Sequence, residues 1–311
     1  MKGSLKLLFR IVLLIFVFAN IVVIFHAYKL THFYERAEVL TKNKSSKTSW
    51  DKTMEILMGA KAVKQANLQP DTIVQKLYFV TKDQLRLEGW YLPSAGSKGT
   101  IAMFHGHGGK KSSLLPEAAV FRRLGYHTLL LDFRAHGNSE GNTCTIGYEE
   151  AEDVKLVYDY LQKGNEKHIL LYGVSMGAAS IMKSIAEYKL SPSKVILEMP
   201  FGSLYEAVQG RLRIMHLPQQ PLATMLTFWG GTTHGFWAFN LNPAEYARKI
   251  QCPVLLQWGK LDPRVSESET NIIYKNINPA KKLVVYEQSG HESFYKKEPV
   301  KWTSETTAFL Q

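Results

Sequence analysis

Hydrophobic positions along the chain follow three different patterns. The first is a solid block. Leu5 to Phe25 is apolar apart from Lys6, Arg10 and Asn20, and no charge falls between Ile11 and Phe25. From Leu7 to Phe25 the block would be about 28 Å long as a helix, enough to cross a bilayer. The second pattern is alternation. Ile73 to Val80 and Leu85 to Leu92 alternate with period two around a turn at Thr81 to Gln84, which predicts an antiparallel hairpin.

The third pattern begins at Thr100, where short apolar runs alternate with amphipathic stretches. Strands are expected at Thr100–Phe104, His127–Phe133, Ile169–Gly173, Lys194–Glu198, Pro253–Trp258 and Lys282–Tyr286. Helices are expected at Leu114–Leu124, Tyr148–Gln162, Ala178–Tyr188, Glu267–Lys275 and Pro299–Leu310. Repeated βα units of this length imply an α/β fold: a mainly parallel sheet with helices on both faces. Reactive groups in such sheets gather beyond the C-terminal strand ends.

Two stretches break these patterns. Thr31 to Leu40 and Trp50 to Ala66 have helical spacing around a polar Lys/Ser segment, so residues 31–70 read as a helical stalk. Phe201 to Ala247 has no strand signal but many large apolar residues, among them Leu204, Leu212, Met225, Phe228, Trp229 and Trp237. Lying between two sheet strands, residues 201–247 read as a cap inserted over the strand ends. The domain plan is therefore 1–30 membrane helix, 31–70 stalk and 71–311 catalytic-type domain with cap.

Charge refines this picture. The net charge is +11, but residues 1–64 hold eleven Lys/Arg against four Asp/Glu, and the remaining chain is close to balanced. The excess belongs to the apolar block and to the polar stretch after it, including Lys42, Lys44, Lys47 and Lys52. That distribution suits an anionic lipid surface or a solvated linker rather than nucleic acid. Lys2, Lys6 and Arg10 precede an apolar run with no small-residue cleavage site after it, which reads as an uncleaved signal-anchor, with a removed signal peptide as the alternative. The positive-inside rule places the domain on the non-cytoplasmic side. Cys144 and Cys252 fall at opposite sheet edges, beyond disulfide reach, and read as free thiols. Asn43-Lys44-Ser45 is a glycosylation sequon only in a eukaryotic secretory setting.

The chemistry centres on Gly173-Val174-Ser175-Met176-Gly177. A strand running into Gly-x-Ser-x-Gly, with small residues after it, describes a sharp strand-to-helix turn presenting one serine. The pentapeptide is short enough to arise by chance, so its partners matter. A nucleophilic serine needs a base, and the base needs an orienting acid. Asp262 follows one expected strand and His291 follows the next, in the order Ser, acid, His. Glu198 also ends a strand near the turn and is the alternative acid. The histidines at 105, 107, 136 and 291 form no His-x-x-x-His or Cys-His array, so no metal and no cofactor is expected. His216 and His234 fit no pattern.

These residues together resemble the α/β-hydrolase superfamily over about residues 73–311. The likeness is strongest to membrane-associated α/β-hydrolase-domain proteins and serine-aminopeptidase-like hydrolases. It rests on His105-Gly106-His107-Gly108-Gly109, Asp132 to Ser139, the turn at 173–177, Glu198-Met199-Pro200-Phe201, Asp262 and Gly290-His291. The resemblance implies Ser175 as nucleophile, His291 as base and Asp262 as acid. It also implies an oxyanion hole from the N–H groups of Met176 and His107, with Gly108 as second choice to His107. Structural roles are implied for the others: His105 bracing the oxyanion loop, Arg134 and His136 fixing their own loop.

The aromatic, nearly uncharged cap and the apolar N-terminal helix point to a small-molecule acyl ester or thioester with an apolar portion, including lipid, as substrate. A peptidase trimming N-termini is the alternative, opposed by a cap whose carboxylates are only Glu206 and Glu245. A non-catalytic binding protein that keeps the fold is the third reading. The sequence does not name the natural substrate.

Overall fold

The computed structural model describes residues 2–35, 49–278 and 280–311. Lys42, Lys44, Lys47 and the sequon at Asn43 lie outside them. In chain order the elements are α1 (Lys2–Thr31), β1 (Phe33–Tyr34), α2 (Ser49–Met58), β2 (Ala62–Val63), β3 (Gln75–Val80) and β4 (Arg86–Leu92). Next come β5 (Thr100–Phe104), α3 (Leu115–Arg123), β6 (His127–Leu131), α4 (Glu150–Lys163), β7 (Ile169–Val174), α5 (Met176–Tyr188) and β8 (Lys194–Glu198). The remainder is α6 (Leu204–Ile214), α7 (Leu222–Thr232), α8 (Pro243–Tyr246), β9 (Val254–Gly259), α9 (Glu267–Asn276), β10 (Lys281–Tyr286), α10 (Phe294–Lys297) and α11 (Pro299–Leu310).

Eight strands form one sheet in the order β10-β9-β8-β7-β5-β6-β4-β3. Only β4 runs against the others, pairing antiparallel with both β3 and β6. The order reverses at β5, which lies between β6 and β7. That switch point opens a crevice at the C-terminal strand ends, and the turn bearing Ser175 sits directly beyond it.

Both sheet faces are covered, which is why the central strands are mostly apolar and buried at nearly every residue. Along β5, Ala102 and Phe104 join a core with Val154 of α4 and Ile181 of α5. Ile101 and Met103 point the other way, to Phe121 of α3 and Trp302 of α11.

Within 31–70, the described residues 31–35 and 59–68 differ from the helical stalk expected of them, and residues 36–48 lie outside the described residues. The α1 helix ends at Thr31, and the chain turns at once into a two-residue strand, β1, paired in parallel with β2. Its backbone is stitched to a distant loop: Phe33 N–H donates to Asn142 carbonyl at 2.8 Å, and Cys144 N–H to Thr31 carbonyl at 2.8 Å. The second expected helix stops at Met58, before Gly59 at φ +80°, and Ala62 onward is extended. Farther on, the Asn67 amide donates to Asp132 at 2.7 Å, and Ser112 N–H donates back to Asn67 at 3.1 Å. Long-range hydrogen bonds override local helical spacing here, and residues 62–68 are part of the domain rather than a stalk.

One described helix is long and apolar enough to cross a membrane, Ser4–Thr31, with mean hydropathy 2.9. Its side chains from Leu5 to Phe18 are exposed. Its last three turns instead pack on α7 of the 201–247 segment. There the Trp229 indole donates to Asn20 at 2.9 Å, and His234 hydrogen-bonds Thr31 at 2.9 Å. The two cysteines are free and buried.

Candidate active site

The strand β7 runs straight into α5 through Ser175, whose backbone sits at φ +52°, ψ −113°. A residue with a side chain pays for that conformation in strain, which is held by packing on both sides. Gly173 and Gly177 make the turn possible. A Cβ on Gly173 would lie 2.7 Å from the Ala178 nitrogen, and one on Gly177 would lie 2.3 Å from the Phe104 carbonyl oxygen. The two glycines thus let α5 start against β5, with Ser175 raised into the crevice.

Three strand ends converge on this serine. His291, in the loop after β10, has Nε2 at 3.0 Å from Ser175 Oγ. Its Nδ1 lies 2.7 Å from Asp262 Oδ2, in the loop after β9. A carboxylate only accepts, so Nδ1 carries the proton and Nε2 is left to accept from the serine hydroxyl. The other Asp262 oxygen accepts from the N–H groups of Arg264 at 2.7 Å and Val265 at 3.0 Å. The Asp262 side chain is fully buried, and His291 is only 12% exposed. Sequence order alone put these residues in one series; the structure brings them into one hydrogen-bonded chain.

The loop after β5 supplies the facing wall. Met176 is the first residue of α5, where helix N–H groups have no partner inside the helix. His107 lines the same cleft. Gly108, the second candidate, is occupied: its N–H donates to His136 Nε2 at 3.0 Å. His136 completes its own bonding by donating from Nδ1 to the Arg134 carbonyl at 2.8 Å. His105 is a similar crosspiece, donating to Gly106 carbonyl at 2.8 Å and accepting from Phe133 N–H at 3.2 Å. Burial first, then the neighbouring His136, lowers the pKa values of His105 and His107 to about 3, so both stay neutral. His107 donates from Nε2 to the Leu30 carbonyl at 3.2 Å. The end of α1 is therefore bonded directly to this loop.

Arg134 anchors the second loop. It is 1% exposed and bonds Asp153, Glu149 and Glu152 at the start of α4. Burial disfavours its charge, but Asp153 and its neighbours more than compensate and raise its pKa. Lys111 is buried likewise between Asp132 and Glu88.

Glu198 does not reach His291. It alternates with Leu197 onto the opposite sheet face, where it accepts from the Trp302 indole at 2.6 Å. Burial, then the nearby Glu117 charge, pushes its pKa up to about 8. An acid whose pKa is raised on folding stabilises the protein fully below the unfolded value of about 4.5, and that contribution is lost as pH rises through about 8. Glu198→Gln is therefore expected to melt progressively higher than the parent as pH goes from 5 to 8, measured by thermal unfolding. A constant difference across that range would contradict the assignment.

The cleft opens directly above Ser175. The α6 side chains Leu204 and Val208, together with Phe201 and Leu30 of α1, give it an apolar wall. Leu30, Leu204, Val208 and Ile146 also border a second, narrower apolar space that runs between α1 and α7 toward Leu226 and Phe236. Among the described residues no carboxylate lines the cleft, and no group of three or more His, Cys, Asp or Glu is placed to hold a metal ion. Two residues the sequence reading overlooked, Arg211 and Arg264, also face into it. The available signal was a charge on α6 in an otherwise apolar segment and a basic residue two places after Asp262.

This architecture has close counterparts. Solved structures of the same shape include the Pyrococcus furiosus esterase Pf2001, with a TM-score of 0.66, 24% identity, and coverage of 81% of this chain and 98% of that one. The family model described as serine aminopeptidase, S33 matches residues 95–229. The chain has the α/β-hydrolase fold. It is 28% identical to YqkD of Bacillus subtilis over 68% of this chain and 70% of that protein. It is also 24% identical to the lysophosphatidylserine lipase ABHD12 of Macaca fascicularis, over 64% of this chain and half of that protein.

Proposed function

We propose that this α/β-hydrolase is a serine hydrolase of carboxylic esters or thioesters with an apolar acyl chain. The observation that carries the proposal is the chain Asp262–His291–Ser175, at 2.7 and 3.0 Å. In this reading Ser175 Oγ bonds to the acyl carbon as its proton passes to His291 Nε2. Asp262 holds the imidazole in the tautomer that can take that proton and stabilises the resulting imidazolium. The N–H groups of Met176 and His107 receive the negative charge that grows on the carbonyl oxygen, each removable donor being worth about 3 kcal/mol by analogy with other acyl transferring enzymes. The carbon–oxygen or carbon–sulfur bond then breaks, and His291 returns its proton to the leaving group. Water, deprotonated by the same histidine, releases the acid and restores the serine.

The apolar wall and the narrower space between α1 and α7 favour an acyl chain, and the lipase named among the relatives acts on a lipid. A peptidase trimming N-termini needs a carboxylate for the substrate ammonium, and none lines the described cleft. The α1 helix is proposed as a single-pass anchor with the domain on the non-cytoplasmic side, following the placement of Lys2, Lys6 and Arg10. At about 1.5 Å per residue its apolar span of 28 residues measures about 42 Å, against about 30 Å of hydrocarbon. The surplus matches the last turns, which pack on the domain.

A fluorophosphonate probe tests the proposal. Folded protein is expected to label at Ser175 and at no other site, with labelling lost in Ser175→Ala. Absence of labelling would overturn the enzymatic reading. Turnover of aminoacyl-anilides in preference to p-nitrophenyl acyl esters would overturn the substrate class.

A further inference from the structure

Arg211 and Arg264 form a like-charge pair at the reaction centre. Arg211 stands near the end of α6, and Arg264 follows Asp262 by two residues; both border the cleft together with Ser175 and His291. Their backbones are held together: a Cβ on Gly210 would lie 2.2 Å from the Arg264 carbonyl oxygen. Neither side chain has a hydrogen bond or ion pair among the described residues, whereas buried Arg134 is saturated with carboxylates. Both side chains are exposed at the cleft, and the partial loss of solvent around Arg211, then the charge of Arg264, lowers the Arg211 pKa. Both charges also reach the His107 imidazole. Two guanidinium groups that border one cleft without a counter-ion repel each other, and an anion bound between them would accept charge-assisted hydrogen bonds from both.

The pair also has a direction. The narrower apolar space leaves the cleft past Leu30, Leu204 and Val208, and neither arginine borders it. The arginines, like His291, which would return a proton to the leaving alcohol, line the cleft but not that narrower space. An acyl chain in the apolar space therefore puts the alcohol part of the ester beside the arginines.

We infer that Arg211 and Arg264 form an anion subsite for the alcohol portion of the substrate. The substrate class is a single-chain acyl ester of an alcohol bearing phosphate or carboxylate. This rests on the serine-hydrolase reading for the bond that breaks, but the subsite itself is a binding claim and is tested as one.

The test uses the full chain in uncharged detergent micelles, with Ser175→Ala to prevent turnover. Dissociation constants are compared for 1-palmitoylglycerol 3-phosphate and 1-palmitoylglycerol, which differ only in the phosphate. The phosphate ester is expected to bind about tenfold tighter or more, and Arg211→Gln with Arg264→Gln is expected to bring the ratio to within about twofold of unity. Equal binding in the parent, or a ratio unchanged in the double variant, overturns the subsite. So does a ratio that tracks anionic phospholipid added to the micelle rather than the ligand's own phosphate. Turnover by the unsubstituted chain separates the two claims. Preference for the phosphate ester in binding, with no Ser175 labelling and no hydrolysis, retains the subsite and overturns the hydrolase. Hydrolysis of both esters at equal kcat/KM, with equal binding, does the reverse.

Discussion

Asp262→Asn is expected to lower kcat on a p-nitrophenyl ester by about 10³- to 10⁴-fold, by analogy with the same change in other triads. The side chain of Asp262 has two jobs with different tolerance. Oδ1 accepts from the N–H groups of Arg264 and Val265, and an amide oxygen can do the same, so the loop is expected to keep its shape. Oδ2 accepts from His291 Nδ1, and an amide nitrogen there donates instead. The imidazole then presents a proton to Ser175 rather than a lone pair, and the serine proton has nowhere to go. Steady-state kinetics with the melting temperature as control checks this. Full activity in Asp262→Asn, with loss in Glu198→Gln, would move the acid to Glu198.

The largest loss of stability is expected from Arg134→Met, at about 3–5 kcal/mol. Removing the guanidinium leaves Asp153, which has no exposed surface, without its charge partner and bonded at this position only by the residue-134 N–H. Methionine fills the volume but replaces none of the bonds to Asp153, Glu149 and Glu152. Arg134→Lys is expected to recover only part of the loss, because one ammonium cannot span three carboxylates. The effect extends beyond stability, since the Arg134 carbonyl fixes the His136 ring and that ring holds Gly108. Urea unfolding measures the first part, and the rate of Ser175 labelling the second. A change below about 1 kcal/mol would mean that the charges are solvated after all.

Much of the sheet could be read in the chain because its strands are short apolar runs buried on both faces. β5 and β8 fall where the pattern places them, at Thr100–Phe104 and Lys194–Glu198. Strand order then carried the residues at 175, 262 and 291 to one edge, since each stands just past a C-terminal strand end. The turn after α1 was illegible for the opposite reason. Nothing local in Thr31 to Tyr34 forbids a helix; the bonds to Asn142 and Cys144 decide it, from more than a hundred residues away. The arginine pair was hidden in the same way, because Arg211 and Arg264 meet only once α6 is laid against the loop after β9.

The hydrogen bond from His107 to the Leu30 carbonyl makes the end of α1 part of the cleft wall. On the anchored reading this fixes more than location. A rigid post of set length would hold the mouth of the cleft at one height above the bilayer, and lateral diffusion would replace three-dimensional search. Such an enzyme sees its substrate as a surface density. It would turn over lipid in its own membrane in preference to lipid in a neighbouring vesicle, and neutral lipid added as a diluent would slow it even at constant bulk substrate.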